Sequence, residues 1–386
     1  MRLLVLGGTK YLGRHFVTHA LSRGHDLTLF HRGRTGPALF PGVRRLFGDR
    51  DTDPRSGLAA LRTGEWDAVV DFSGFLPRQV RATARLLAPR VRHYVLMSSI
   101  AVYPRSATAG RTEDVPLRRL DLPPGRTPEE VGSFTAQTYG PLKAAAERAA
   151  VEECDGRATL VRAGLVTGPG DPFGAFPGWA LAMAGEGGRD GTVPCAARPG
   201  QPLQITDARD LAAFMVRMAT VPLPGPYNVT APPVTFATML ETCRAACGGT
   251  ARVRWTGPWN EPGPRKGAEA YGYPETNGTP ETNEMNEMNK GKGHRTPEGC
   301  GTPEAQDGDS RHAANASGVR HGGPARNVDE HAAGIVQPAD GSDDAVFQLS
   351  TRRARDAGYR ARPLADTARS TVTWALRTGA VFTSPH

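Results

Sequence analysis

Residues 2–13 constrain this chain more than any other stretch. Arg2-Leu3-Leu4-Val5-Leu6 is a short apolar run, Gly7-Gly8-Thr9-Lys10-Tyr11-Leu12-Gly13 follows at once, and Arg14 to Gly24 has helix length. An apolar run, a glycine turn and a helical segment stopped by glycine predict a buried parallel strand, a turn and an α-helix. Such a turn aims free backbone N–H groups at one point, and the positive helix end adds to them. The result suits an anion, typically a dinucleotide pyrophosphate. Gly7 permits the tight turn, Gly8 lets backbone approach a ligand, and Gly13 lets the helix pack closely. A Gly-x-x-Gly-x-x-Gly pattern would need glycine at position 10, where Lys10 stands. On this stretch alone, a plain strand-to-helix turn without a ligand remains the alternative.

Strand and helix signals then alternate. Asp26 to Phe30 reads as a strand, Arg44 to Asp49 holds a short third one, and Asp67 to Phe72 is a strand ending at Ser73-Gly74. Gln79 to Leu87 reads as a helix, and His93 to Met97 as a strand ending in Ser98-Ser99. Tyr139 to Cys154 is an alanine-rich helix, and Ala158 to Arg162 another strand. Alternation of this kind predicts an α/β fold: a Rossmann-like, doubly wound parallel sheet with ligands at the carboxyl ends of its strands. Beyond Gly164 the pattern loosens. Leu203 to Thr206 reads as one strand, Ala208 to Ala219 as a helix, and Pro363 to Leu376 as a closing helix.

These signals divide the chain. Residues 1–163 form a dinucleotide-binding domain, to which 201–230 returns. Residues 164–200, 231–256 and 345–383 form a smaller substrate-binding lobe. From 257 to 344 the chain is rich in Gly, Pro, Glu, Asn and Thr, and Pro274-Glu275-Thr276-Asn277 recurs as Pro280-Glu281-Thr282-Asn283. So little apolar surface cannot offset the entropy of ordering, which predicts a disordered insertion.

The 386 residues carry a formal net charge of +8, but the arginines are scattered, so an anionic small molecule is expected rather than nucleic acid. None of the five cysteines forms a paired zinc spacing, and no metal is expected. No apolar run approaches a membrane span, and no leader is recognisable. A cytoplasmic protein without a membrane partner is expected, with a homodimer left open.

Tyr139-Gly140-Pro141-Leu142-Lys143 places a tyrosine and a lysine four apart, on one face of a helix. That pair suits proton transfer during hydride chemistry. A phenol with pKa near 10 needs a shift of about three units, roughly 4 kcal/mol, to work near neutral pH. One cation about 4 Å away supplies about 4 kcal/mol at an effective dielectric near 20. An incidental Tyr and Lys on a helix surface is the plainer reading of the pair. The order of features speaks against it: dinucleotide turn, strand-end Ser-Ser, then Tyr-x-x-x-Lys.

In these features the chain resembles the extended and atypical short-chain dehydrogenase/reductases, the NAD-dependent epimerase/dehydratase group. The resemblance rests on the glycine turn, Ser98-Ser99-Ile100-Ala101-Val102-Tyr103, Tyr139 to Lys143 and Gly168-Pro169-Gly170-Asp171-Pro172. It covers about residues 1–256 and 346–377. It implies that Tyr139 is the catalytic acid/base, Lys143 its electrostatic partner and a contact of the nicotinamide ribose, and Ser99 the third member. It further implies that Gly7, Thr9, Tyr11, Leu12 and Gly13 line the pyrophosphate. Asp49 would meet the adenine amino group, and Ser73 and Gly74 would lie beside the cofactor.

Departures from the group's pattern refine this expectation. NAD-preferring relatives end the second strand with an acid, whereas this chain has His31-Arg32-Gly33-Arg34. Arg32, assisted by Lys10, can pair with a 2′-phosphate, which favours NADP over NAD. Ile100-Ala101 replaces the Asp-Glu of 4,6-dehydratases, and Leu165 stands where nucleotide-sugar enzymes carry Asn. The expected activity is an NAD(P)-dependent oxidoreductase or epimerase acting on a sugar-like or other small hydroxylated metabolite. Two alternatives stand beside it: a nucleotide-binding regulatory or RNA-associated protein with vestigial catalysis, and a biosynthetic ketoreductase on a non-sugar metabolite.

Overall fold

The computed structural model describes residues 1–36, 39–105, 108–185, 188, 190–257 and 344–380. The expected disordered insertion at 257–344 therefore lies outside the described residues, apart from its two end positions.

The apolar run at the start forms β1 (Arg2–Leu6), and the glycine turn leads into α1 (Tyr11–Ser22). There follow β2 (Asp26–His31), β3 (Arg44–Phe47), α2 (Pro54–Gly57), β4 (Ala68–Asp71), α3 (Pro77–Leu87), β5 (His93–Ser99), α4 (Ala136–Glu153) and β6 (Ala158–Ala163). Next come β7 (Leu165–Thr167), α5 (Ala175–Ala184), β8 (Thr192–Cys195), β9 (Pro202–Leu203), β10 (Ile205–Asp207), α6 (Ala208–Thr220) and β11 (Gly225–Val229). The chain closes with β12 (Val234–Thr235), α7 (Phe236–Cys247), β13 (Arg252–Trp255), α8 (Arg352–Asp356) and α9 (Leu364–Thr378).

Seven strands form one sheet in the order β11-β6-β5-β4-β1-β2-β3, every pair parallel. Strands buried on both faces must be apolar throughout, and Leu3 to Leu6 are fully buried. Phe16 and Val17 of α1 pack on one face with Leu211, Met215 and Met218 of α6. Val80, Ala84 and Leu87 of α3 pack on the other with Ala146, Ala149 and Ala150 of α4. A separate core joins Trp179 of α5, Phe236 and Leu240 of α7 and Ala368 of α9. The order reverses between β1 and β4, so the carboxyl ends of β1, β2 and β4 open a crevice there.

One expected element is corrected. Residues 203–206 do not form one strand. β9 pairs antiparallel with β12, while β10 pairs parallel with β7. Gln204 makes the break, because its amide clasps another segment's backbone. Its Nε2 donates to the Leu349 carbonyl at 3.0 Å, and its Oε1 accepts from the Leu349 N–H at 2.8 Å.

Candidate active site

A cleft of about 280 Å³ opens at the strand-order reversal. Its base is the glycine turn. Gly7 and Gly8 have φ of +102° and +88°, values that favour glycine. A Cβ on Gly13 would fall 2.7 Å from the Gly8 Cα, so α1 sits against the turn only because Gly13 lacks a side chain. The first N–H groups of α1 have no partner one turn earlier, leaving donors for a ligand.

Gly7, Gly8, Thr9, Lys10, Gly13, Arg32, Asp49 and Ser73 all line this cleft. Tyr11, Leu12, Gly74, Ser99, Tyr139 and Lys143 are not among its lining residues. Leu12 packs on the core. Tyr11 rests edge-on against His15, centroids 5.8 Å apart, with its hydroxyl buried and unpartnered. Burial, reinforced by Asp171 and Asp207, raises that phenol's pKa well above its usual value. Only the backbone of these two residues is placed to serve the turn.

Sequence reasoning missed Arg50, which also lines the cleft. Its guanidinium meets the Asp71 carboxylate at 2.7 and 2.9 Å, and donates to Ser73 Oγ and the Gln79 carbonyl, each at 3.0 Å. Tyr94 donates to the same carboxylate at 2.7 Å. Burial would push the Asp71 carboxyl up, but Arg50 outweighs it and holds the group below its usual range. Arg50 thus ties the loop after β3 to the end of β4 and the start of α3. A lone arginine after Gly48-Asp49 carries no local signal for that long-range pairing.

Tyr139 and Lys143 lie on α4 as the spacing requires. Lys143 is 3% exposed. Its ammonium donates to the carbonyls of Gly74 at 2.8 Å and Met97 at 2.6 Å, and lies 5.5 Å from the centre of the Phe75 ring. The Phe75 ring stacks on Phe134 at 5.7 Å, and Phe134 lies 5.5 Å from Tyr139. Both phenylalanines line the cleft. Tyr139 and Lys143 therefore stand behind an aromatic wall of the cleft, a second feature missed from sequence. Ser99 ends β5, and its Oγ accepts from the Ala101 N–H at 3.2 Å.

The start of α4 has a local explanation. Thr135 caps it, accepting from the Thr138 N–H. Pro141 cannot donate to the Gln137 carbonyl, and Arg118 does so instead at 3.0 Å. Gly140 is obligatory here, since a Cβ would fall 2.0 Å from the Ala101 carbonyl oxygen. These contacts bring Tyr139 beside the end of β5.

Behind the site lies a buried ion pair, with Arg162 Nη2 2.8 Å from a Glu147 oxygen. Ser98 donates to Glu147 at 2.5 Å, and Arg162 to the Tyr103 hydroxyl at 2.8 Å. Asp171, on the loop after β7, is 3% exposed. It accepts from Thr167 at 2.7 Å and the Phe173 N–H at 2.8 Å. Burial pushes its carboxyl up to about 6 despite those hydrogen bonds. Among the described residues no helix is long and apolar enough to cross a membrane.

No family model matches the chain. A curated relative, the chloroplast stem-loop binding protein of 41 kDa b from Arabidopsis thaliana, is 29% identical over 118 residues. The match spans 27% of this chain and only 31% of that protein's length. Solved structures match far more widely. A candidate epimerase from Burkholderia cenocepacia J2315 superposes with a TM-score of 0.61 at 17% identity, covering 98% of each chain. WbmG from Bordetella bronchiseptica, solved with NAD and UDP, gives 0.58 at 15% identity over 98% of this chain and 96% of its own. Human epimerase family protein SDR39U1, solved with NADPH, gives 0.54 at 19% identity over 97% and 99%. The chain has a Rossmann-type fold, a seven-stranded parallel sheet between helices, of the kind these solved structures share.

Proposed function

We propose that this chain is an NAD(P)-dependent oxidoreductase or epimerase of the epimerase/dehydratase family. One observation carries the reading: a single cleft gathers the glycine turn, Arg32 and Asp49, and its far wall touches Tyr139 through Phe134. The cradle fits a dinucleotide. The space a Cβ would fill at Gly13 is taken by the turn itself, which leaves backbone donors facing the cleft. The fold neighbours solved with NAD or NADPH support the same class of cofactor.

In this reading Gly7, Gly8, Thr9, Lys10 and Gly13, with the backbone of Tyr11 and Leu12, hold the diphosphate. Asp49 accepts from the adenine amino group, and Ser73 and Gly74 border the cofactor at the end of β4. Arg32 pairs with a 2′-phosphate, so NADP is preferred. The nicotinamide, when bound, supplies a carbon that gives or takes a hydride. Tyr139 moves the proton of the substrate hydroxyl, Lys143 sets the local field and fixes the strand ends, and Ser99 holds the substrate oxygen. The substrate is a small hydroxylated metabolite. The absence of Asp-Glu after Ser99 and the presence of Leu165 favour a non-sugar ketone or alcohol as readily as a sugar.

A second reading has its own support. The curated relative is named for stem-loop binding, and this chain is net basic. An RNA-associated role predicts binding that weakens steeply with salt. Titrating the purified chain with NADPH, NADH and a stem-loop RNA at two salt concentrations separates the readings. Saturable NADPH binding without an RNA shift supports the enzyme. A salt-sensitive RNA complex with no dinucleotide binding overturns it.

A further inference from the structure

Phe75 and Phe134 stand between the cleft and the Tyr139–Lys143 pair. Their rings are stacked at 16°, both face the cleft, and one lies over the Lys143 ammonium while the other meets the Tyr139 ring. The two phenylalanines arrive by different routes, one between β4 and α3 and the other just before α4.

The segment carrying Phe134 is short and bounded by anchors. Before it, the turn at Pro128–Glu130 is capped by Thr127, and Glu129 pairs with Arg81 at 3.0 Å. After it, Thr135 and Thr138 cap α4 reciprocally. Residues 131–134 span the gap; Gly132 and Ser133 are exposed and Phe134 is half-buried. One side chain latches this segment across the cleft mouth. Arg78 donates to the carbonyls of Val131 and Gly132, each at 3.4 Å, and pairs with Asp51 on the opposite wall at 3.0 Å. Gln79 fixes Asp51 from beneath at 2.7 Å.

Resting on the cofactor reading above, we propose that Phe134 is an aromatic gate, latched by Arg78, which must swing aside before a planar cofactor ring can reach Tyr139. The stack and the latch are weak enough to open. Stacking adds modestly beyond burial, and half-exposed ion pairs contribute little. Phe75, the ring that lies over the Lys143 ammonium, stays in place when Phe134 leaves, so that ammonium keeps an aromatic face beside it. The gate makes entry and exit of the dinucleotide slow relative to its affinity.

The test uses the full chain and stopped-flow nicotinamide fluorescence, with NADPH and NADH as probes. In Phe134→Ala, association and dissociation rates rise together, by about tenfold, with a smaller change in Kd. Arg78→Ala moves both rates in the same direction by about threefold, and Phe134→Leu falls between Phe134→Ala and the wild type. Thermal melting of each variant shows whether the fold is retained, and Arg78→Ala carries the test should Phe134→Ala not fold. Unchanged rates in folded variants, with dinucleotide still bound, overturn the gate and leave the cofactor reading standing. A wild-type chain that binds neither dinucleotide overturns both.

Discussion

The Lys143 ammonium donates to the Met97 carbonyl at 2.6 Å, binding α4 to the end of β5. With its second bond to Gly74 it also reaches the end of β4. Lys143 therefore has a structural role beside the chemical one proposed for it, and the two separate by mutation. Lys143→Met leaves two carbonyls without this donor in a buried place, and is expected to lower the unfolding free energy by about 2–4 kcal/mol. Tyr139→Phe keeps the ring against Phe134 and is expected to shift stability by less than about 0.5 kcal/mol. Urea midpoints of the two variants check the contrast; equal midpoints would contradict it.

Arg118 supplies the hydrogen bond that Pro141 withholds from the Gln137 carbonyl. Arg118→Ala is expected to destabilise the chain by about 1 kcal/mol and to loosen the first turn of α4, where Tyr139 sits. Hydrogen exchange should rise at residues 136–140 and stay level at 145–150. Uniform exchange across the helix would contradict this local role.

Asp171 makes a signed prediction for pH. Its folded pKa of about 6 lies above the ordinary 3.8, so the folded state holds the proton more tightly. The stabilisation is complete below about pH 4 and is lost as pH rises through about 6. The change is about 3 kcal/mol. Asp171→Asn keeps an acceptor for Thr167 and cannot ionise. Compared with this variant, the wild type should lose stability between pH 4 and 7, as read from melting temperatures. A parallel profile in both proteins would contradict it.

Arg32 lines the cleft at the end of β2, where its cation can meet a 2′-phosphate. Arg32→Ala is expected to weaken NADPH about tenfold or more, and NADH by less than about threefold. Titration of the variant with both cofactors checks this. Stronger NADH binding in the wild type, unaffected by the substitution, would end the NADP preference.

What could be read from sequence was local. The turn at Gly7–Gly13 announces itself because its strand, glycines and helix are contiguous, and the Tyr139–Lys143 spacing follows from helix geometry alone. The parallel sheet followed from alternation. What stayed hidden depends on partners far along the chain. Gln204 breaks a strand because Leu349 lies opposite, a contact no window of sequence contains. Arg50 looks like a loop cation until Asp71 is folded beneath it. Phe75 and Phe134 are isolated aromatics in sequence and become a pair only when the loop after β4 meets the segment before α4. Tyr11 and Leu12 carry the motif's spacing, yet helix periodicity turns their side chains from the cleft. Lys143 was expected to face a cofactor; that it also holds two carbonyls depends on the β4 and β5 ends converging on α4.

A crystal structure of the chain soaked with NADPH tests the central claim most directly. The account predicts the diphosphate against the Gly7–Gly13 turn and the nicotinamide ring within about 4 Å of the Tyr139 hydroxyl, as proton and hydride transfer at one carbon require. A dinucleotide bound with that hydroxyl on the far side of a closed Phe75–Phe134 wall, or bound outside the cleft, would contradict it.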